Sequence, residues 1–221
     1  SFKVTLELFK DKYILAFFIG ILVLVGVDVG INMTFPKFLM ERCDLPLTDA
    51  GMGNSVYFFA RTVGAFLGGI LLMKYSESKF YIYSVWIALA GLILMTISTN
   101  LWFILGCVAV FGIGYANLFS IIFSLSLKHV PEKANEVSAL LIVGVSGGAV
   151  LPPILGVITD SFHSQLSAII VLAIVWCYLI GIMRKINLYS NETFQENRIE
   201  IPVLITDYEC VEHHSRGSDD G

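Results

Sequence analysis

Five polar side chains stand inside otherwise apolar stretches of the chain: Asp28, Asn32, Asn54, Arg61 and Asn117. A carboxylate and a guanidinium can pair or line a polar route. Side-chain amides donate and accept at once, which suits hydroxyl-bearing ligands. Bond cleavage would need more: a cluster of acids, histidines or a serine–lysine pair at matched depth. The sequence contains no HExxH, no Walker loop, no GxSxG and no GxGxxG placed after a strand. Its four cysteines lack metal or CxxC spacing, and His213-His214 lie in a polar stretch. No catalytic residue, metal or cofactor is expected, and nothing basic and aromatic is arranged for nucleic acid. The inventory fits binding and gating better than catalysis.

The elements that must position these groups follow from composition. Of 221 residues, 56% are hydrophobic and 14% charged. Soluble domains run nearer 45–50% and about 25%. The apolar excess falls in six blocks, at about 13–35, 52–73, 80–98, 101–127, 136–159 and 165–183, each long enough to cross a hydrocarbon core of about 30 Å. Six such blocks with short polar joints cannot share one soluble core. The expected fold is an all-α membrane protein whose six transmembrane helices form one bundle in the lipid bilayer. Pro36 is expected to stop the first span. Residues 1–12 read as an amphipathic linker on the cytoplasmic side, and 184–221 as a polar, disordered cytoplasmic tail.

Lysine and arginine set the orientation. With the N-terminus inside, the inner segments carry Lys3, Lys10, Lys12, Lys74, Lys79, Lys128, Lys133, Arg184 and Lys185, and the outer loops only Lys37 and Arg42. Both termini are therefore expected in the cytoplasm, and the protein in the plasma or inner membrane.

An ionised group near the centre of an inserted helix costs about 2.5–3.5 kcal/mol, so it persists facing water or a partner. Asp28 lies about 11 Å in from Phe35, and Arg61 about 14 Å in from Met52, by helical rise. Matched depth in two antiparallel spans predicts an Asp28–Arg61 pair, or two groups lining one aqueous cavity. Such a pair is either a clamp between the first two spans or part of a substrate or proton pathway. Asn32 shares the Asp28 face, four residues on.

Small residues recur at the spacing of close helix contacts: Gly26 and Gly30, Gly64 and Gly68, Gly144 and Gly148. Pro152-Pro153 should kink the fifth span, and with Gly147 and Gly148 ahead of them form a candidate hinge. "NSVYFFARTVGAFLGG" in the second span is echoed by "NEVSALLIVGVSGG" in the fifth, and "GINMTF" in the first by "GYANLF" in the fourth. If the first three spans repeat as the last three, the halves are inverted, a transporter device.

Three stretches resemble the C-terminal half of a major facilitator superfamily transporter in the fucose–proton symporter branch. They are "GVDVGINMTFPKFL" (Gly26 to Leu39), the block from Asn117 to Asp160 with "FSLSLK" and "GGAVLPP", and "GGILLMKYSESK" (Gly68 to Lys79), a degenerate form of a superfamily loop. The resemblance covers residues 10–185. It implies uptake of a hexose or deoxyhexose by proton symport, through alternating access of two six-helix bundles. It also implies that this chain is one bundle, with sugar, protons and a separate N-terminal bundle as partners. In that branch the acidic residues of proton coupling lie in the other bundle, so no residue here inherits their role. Asp28, Asn32 and Asn117 become sugar contacts on this reading, while the glycines and prolines transfer only as packing and hinge positions. A transport-incompetent partner bundle and a carrier for a non-sugar substrate are the alternatives.

Overall fold

The computed structural model describes residues 7–182. The tail at 184–221, Met183 and the first six residues of the linker lie outside them. The described residues belong to one compact unit, and the description below is of that unit alone.

Among the described residues, six helical spans are long and apolar enough to cross a membrane. The first is α1 (Lys12–Cys43). The second runs over Leu47–Leu72, with α2 (Met52–Leu72) as its body. The third is α3 (Glu77–Ile97). The fourth is α4 (Leu101–Tyr115) continued by α5 (Leu118–His129). The fifth is α6 (Ala134–Gly144) continued by α7 (Gly147–Phe162). The sixth is α8 (Gln165–Ile182).

Pro36 does not stop α1, which continues to Cys43. Proline lacks an N–H, so the carbonyl four residues earlier, on Asn32, loses its helical partner. In an apolar surrounding that orphan is costly. Asn54 of α2 fills the gap: its Nδ2 donates to the Asn32 carbonyl at 3.0 Å. The side chain that repairs α1 therefore also fastens it to α2.

The order of burial is the same in the two halves. The first and fourth spans have 61% of their apolar windows buried within the bundle, whereas the second has 22% and the fifth 28%. The contacts follow the same exchange. α1 packs on α7 and α6 of the fifth span, and α4 packs on α2 of the second. The six spans thus form the inverted three-plus-three arrangement, with the first and fourth spans central.

Glycine makes the central crossings possible. A methyl on Gly26 would meet Leu151 and the Gly147 carbonyl, and one on Gly147 would run into the Leu22 backbone. On the other side, a methyl on Gly64 would sit 2.9 Å from the Ile113 Cα, and one on Gly112 2.9 Å from the Tyr57 carbonyl oxygen. Gly30 faces Leu155 and Leu172, Gly144 the Phe18 carbonyl, and Gly148 Val29. Without side chains at these points the backbones approach, and dispersion replaces the hydrophobic driving force that lipid cannot supply.

The fourth and fifth spans are each interrupted once. α4 gives way to α5 at Ala116–Asn117, and α6 to α7 at Val145–Ser146. The second break lies ahead of Pro152 and Pro153, which sit inside α7. Shortened hydrogen-bond steps carry the chain through it, from Gly148 N to the Val145 carbonyl and from Ala149 N to the Ser146 carbonyl.

Polar ties close both ends. At one end the Asp11 carboxylate caps α1 through Tyr13 N and Ile14 N and meets His129 Nε2 at 3.0 Å. Nearby, Glu77 accepts from Lys128 and Ser124. At the other end Arg42 donates to the Thr96 and Ser98 carbonyls, and Glu41 accepts from Ser164 Oγ and Gln165 N at the start of α8.

Candidate functional site

The intramembrane charges meet where α1, α2 and α4 pack. Arg61 Nη1 donates to both oxygens of Asp28, at 2.9 and 2.7 Å. Tyr57 stands four residues before Arg61, on the same face of α2, and its hydroxyl donates to Asp28 Oδ1. Asn32 Nδ2, one turn along α1, reaches Asp28 Oδ1 at 3.3 Å and the Asp28 carbonyl at 2.8 Å. One carboxylate therefore gathers three donor side chains from two helices.

Aromatic rings hold the guanidinium in place. The Arg61 Cζ lies 4.7 Å from the Tyr115 ring centroid and 5.9 Å from that of Tyr57. A cation above a ring face is attracted by the ring quadrupole, more so where water is scarce. The Tyr115 hydroxyl donates to the Leu24 carbonyl at 3.2 Å, one turn from Asp28 on α1. Phe111 stacks with Tyr57 at 5.8 Å and meets Trp176 of α8 edge-on at 5.5 Å. The polar cluster thus rests on a wall of buried rings from α2, α4 and α8.

The cluster is partly open. The Asp28 side chain is 18% exposed and that of Arg61 31%. Asn32 Oδ1 and Asn54 Oδ1 are buried acceptors with no hydrogen-bond partner among the described residues. Buried amide oxygens are normally satisfied. Asn32 stands one helical turn from Asp28, and Asn54 two turns before Arg61.

Asn117 is placed elsewhere. It is 7% exposed, and its Nδ2 donates to the Gly64 carbonyl at 2.9 Å. Gly68 lies directly against its amide. It sits at the break between α4 and α5 and bridges the fourth span to α2. The structure brings Asp28, Asn32 and Arg61 together and leaves Asn117 in that separate bridge. Tyr57 and Tyr115 complete the cluster without having been singled out in the sequence, and Asn54 joins it from the intramembrane polar residues that were not taken as site candidates. The i, i+4 relation of Tyr57 to Arg61 was a visible signal for the first. For Asn54 the signal was Pro36, which requires a donor from outside the helix.

A six-span bundle with inverted halves, central glycine crossings and a charged cluster at mid-span defines a membrane carrier domain. The chain belongs to the Major Facilitator Superfamily, whose pattern it matches over residues 6–205. It is 26% identical over 151 residues to the glucose/galactose transporter of Brucella abortus biovar 1 (strain 9-941), covering 67% of this chain and 36% of that protein. It is 26% identical over 122 residues to the sialic acid transporter NanX of Escherichia coli (strain K12), covering 54% and 30%. Among solved structures it is similar to the transporter FucP in its outward conformation, with a TM-score of 0.77 at 16% identity. That match covers 84% of this chain and 45% of FucP, and at such identity it shows the fold alone. The chain spans less than half the length of these relatives.

Proposed function

We propose that this chain works as one six-helix half of a sugar transporter, completed by a second six-helix bundle. The whole would move a hexose or deoxyhexose by proton symport and alternating access. The observation that carries this reading is the polar cluster of Asp28, Asn32, Asn54 and Arg61 beside a wall of aromatic rings. Sugars are bound by carboxylates and amides that reach hydroxyls, with ring faces against the apolar side of the pyranose. The unsatisfied Asn32 and Asn54 oxygens supply acceptors of that kind. Arg61, already paired with Asp28, is not a free cation for an anionic substrate. Asp28 and Asn32 are the proposed substrate contacts. Asn117 is proposed to act through the Gly64 bridge, by holding the α4–α5 break against α2.

The sparsely buried second and fifth spans give the half its surface for the other bundle, and the breaks at Asn117 and Ser146 give it places to bend. The lysine-rich loops are proposed to face the cytoplasm, with both termini there, in the cell membrane.

The test is uptake of labelled glucose, galactose and fucose into cells lacking their own carriers, expressing this chain with a six-helix N-terminal bundle supplied in trans. Concentrative uptake that collapses with a protonophore is expected, together with loss on Asn32→Leu at unchanged membrane abundance. Uptake of none of these sugars by a chain pair shown to co-purify overturns the sugar reading. Uptake that survives the protonophore overturns proton coupling alone.

A further inference from the structure

A cavity of about 670 Å³ lies between α2, α3 and α4. Its floor is formed by Gly64 and Ile113, its sides by Leu71 and Ile87, and its mouth by Tyr83 and Lys79. Apart from Ser84, the lining below the mouth is apolar. Gly64 lies eight residues before Leu72, the end of α2, and Ile87 eight residues after Lys79, so both walls run about 12 Å into the bundle. The cavity is therefore a groove that starts at the membrane surface and descends beside the acyl chains.

The charge at its mouth is uncompensated. The Lys79 and Lys74 ammonium groups are exposed, and neither makes an ion pair or hydrogen bond among the described residues. The acid of that loop, Glu77, is occupied by Lys128 at 2.9 Å and by Ser124. One lining cation, Lys79, thus stands at the rim of the slot, at headgroup level, with Lys74 exposed on the same loop next to the lining Tyr75 and the neighbouring carboxylate neutralised. Basic pockets between transmembrane helices take anionic lipid headgroups.

We infer that this groove is a binding site for one anionic phospholipid. An acyl chain lies between α2 and α3 down to Gly64, and the phosphate rests on Lys79, assisted by Lys74. The tyrosine at the mouth suits the same depth, its ring in the chain region and its hydroxyl toward the headgroups. A zwitterionic lipid fills the slot equally well but carries a cation that the two lysines repel, so selectivity rests on headgroup charge.

The test uses the full chain, purified in detergent and delipidated, titrated with dioleoyl phosphatidylglycerol or dioleoyl phosphatidylcholine and read by native mass spectrometry. One phosphatidylglycerol is expected to bind ahead of the rest, and more tightly than phosphatidylcholine. Lys79→Gln should weaken it about fivefold, and Lys74→Gln up to a similar factor. Lys133→Gln, which changes a basic residue at the same end outside the groove, should leave it unchanged. Leu71→Trp and, on the facing helix, Ile87→Trp should each abolish the first binding event by filling the slot, with helicity checked by circular dichroism. Equal binding of the two lipids, equal loss with Lys133→Gln, or retained binding in folded tryptophan variants overturns the assignment.

Discussion

The Asp28 carboxylate and the Arg61 guanidinium meet at 2.7 Å across the first two spans, with Tyr57 bonded to the same carboxylate. Removing one partner of such a pair leaves the other charge in an apolar setting, which costs more than removing both. Arg61→Leu should therefore destabilise the bundle more than Asp28→Asn combined with Arg61→Leu. The coupling expected is roughly 1–2 kcal/mol, less than for a fully buried pair because Arg61 is 31% exposed. A thermal-unfolding cycle in detergent measures it, and a coupling near zero would remove the pair as a clamp.

Asn54 supplies the donor that Pro36 withholds from the Asn32 carbonyl. Asn54→Leu should cost about 1–3 kcal/mol, the penalty of a buried carbonyl left unpaired. Pro36→Ala restores a backbone N–H and should recover most of that loss in the double variant. If Pro36→Ala gives no rescue, the Asn54 amide is not acting as the substitute donor.

Gly68 abuts the amide of Asn117. Gly68→Ala should destabilise by about 1–3 kcal/mol through overpacking, and Asn117→Ala should suppress part of the effect by removing the obstacle. Gly147→Ala meets the Leu22 backbone instead, so no side-chain change should rescue it. Gly106 has open space around its added methyl. Gly106→Ala should stabilise α4 by roughly 0.5–1 kcal/mol through helix propensity. Melting temperatures of the single and double variants separate the three cases.

Asp11 caps α1 and touches His129. Burial works to raise its pKa, but the His129 contact and the Tyr13 and Ile14 N–H groups outweigh it and hold the carboxyl below its ordinary value of 3.8. A depressed folded pKa means the unfolded chain binds the proton more readily. The stabilisation is thus complete above about pH 5 and is lost as pH falls through 3.8 toward the folded value. Asp11→Ala should cost about 1 kcal/mol at neutral pH, as for other N-caps, and should flatten the acid limb of the stability curve. An unchanged acid limb in that variant would assign the limb to other carboxylates.

His163 ends α7 with φ 51°, in the left-handed region, and its side chain is exposed. A residue with a Cβ pays a steric cost there that glycine avoids. His163→Gly should leave the fold unchanged and raise stability by up to about 1 kcal/mol. A lower melting temperature would show that the imidazole makes a contact outweighing the backbone strain.

The fold class and the six spans were legible because hydrocarbon imposes a length and a composition that residues report locally. The pairing of Asp28 with Arg61 was legible for a subtler reason. Both spans extend further outward than the apolar runs alone imply, to Cys43 on one side and Leu47 on the other. From those ends Asp28 lies 15 residues in and Arg61 14, so the matched depth survives. The continuation of α1 through Pro36 was not legible, because it depends on a donor from another helix.

The sequence by itself determined six spans, the charges that need partners and the glycines that allow close crossings. Each of these follows from spacing along one chain in an apolar solvent. Only the tertiary structure decided which faces meet. It set Asn54 beneath Pro36, closed Tyr57 and Tyr115 around Arg61, turned Asn117 onto Gly64, and left an open groove below Lys79. These relations join residues distant in sequence, and they depend on helix rotation and crossing, which one-dimensional periodicity does not encode.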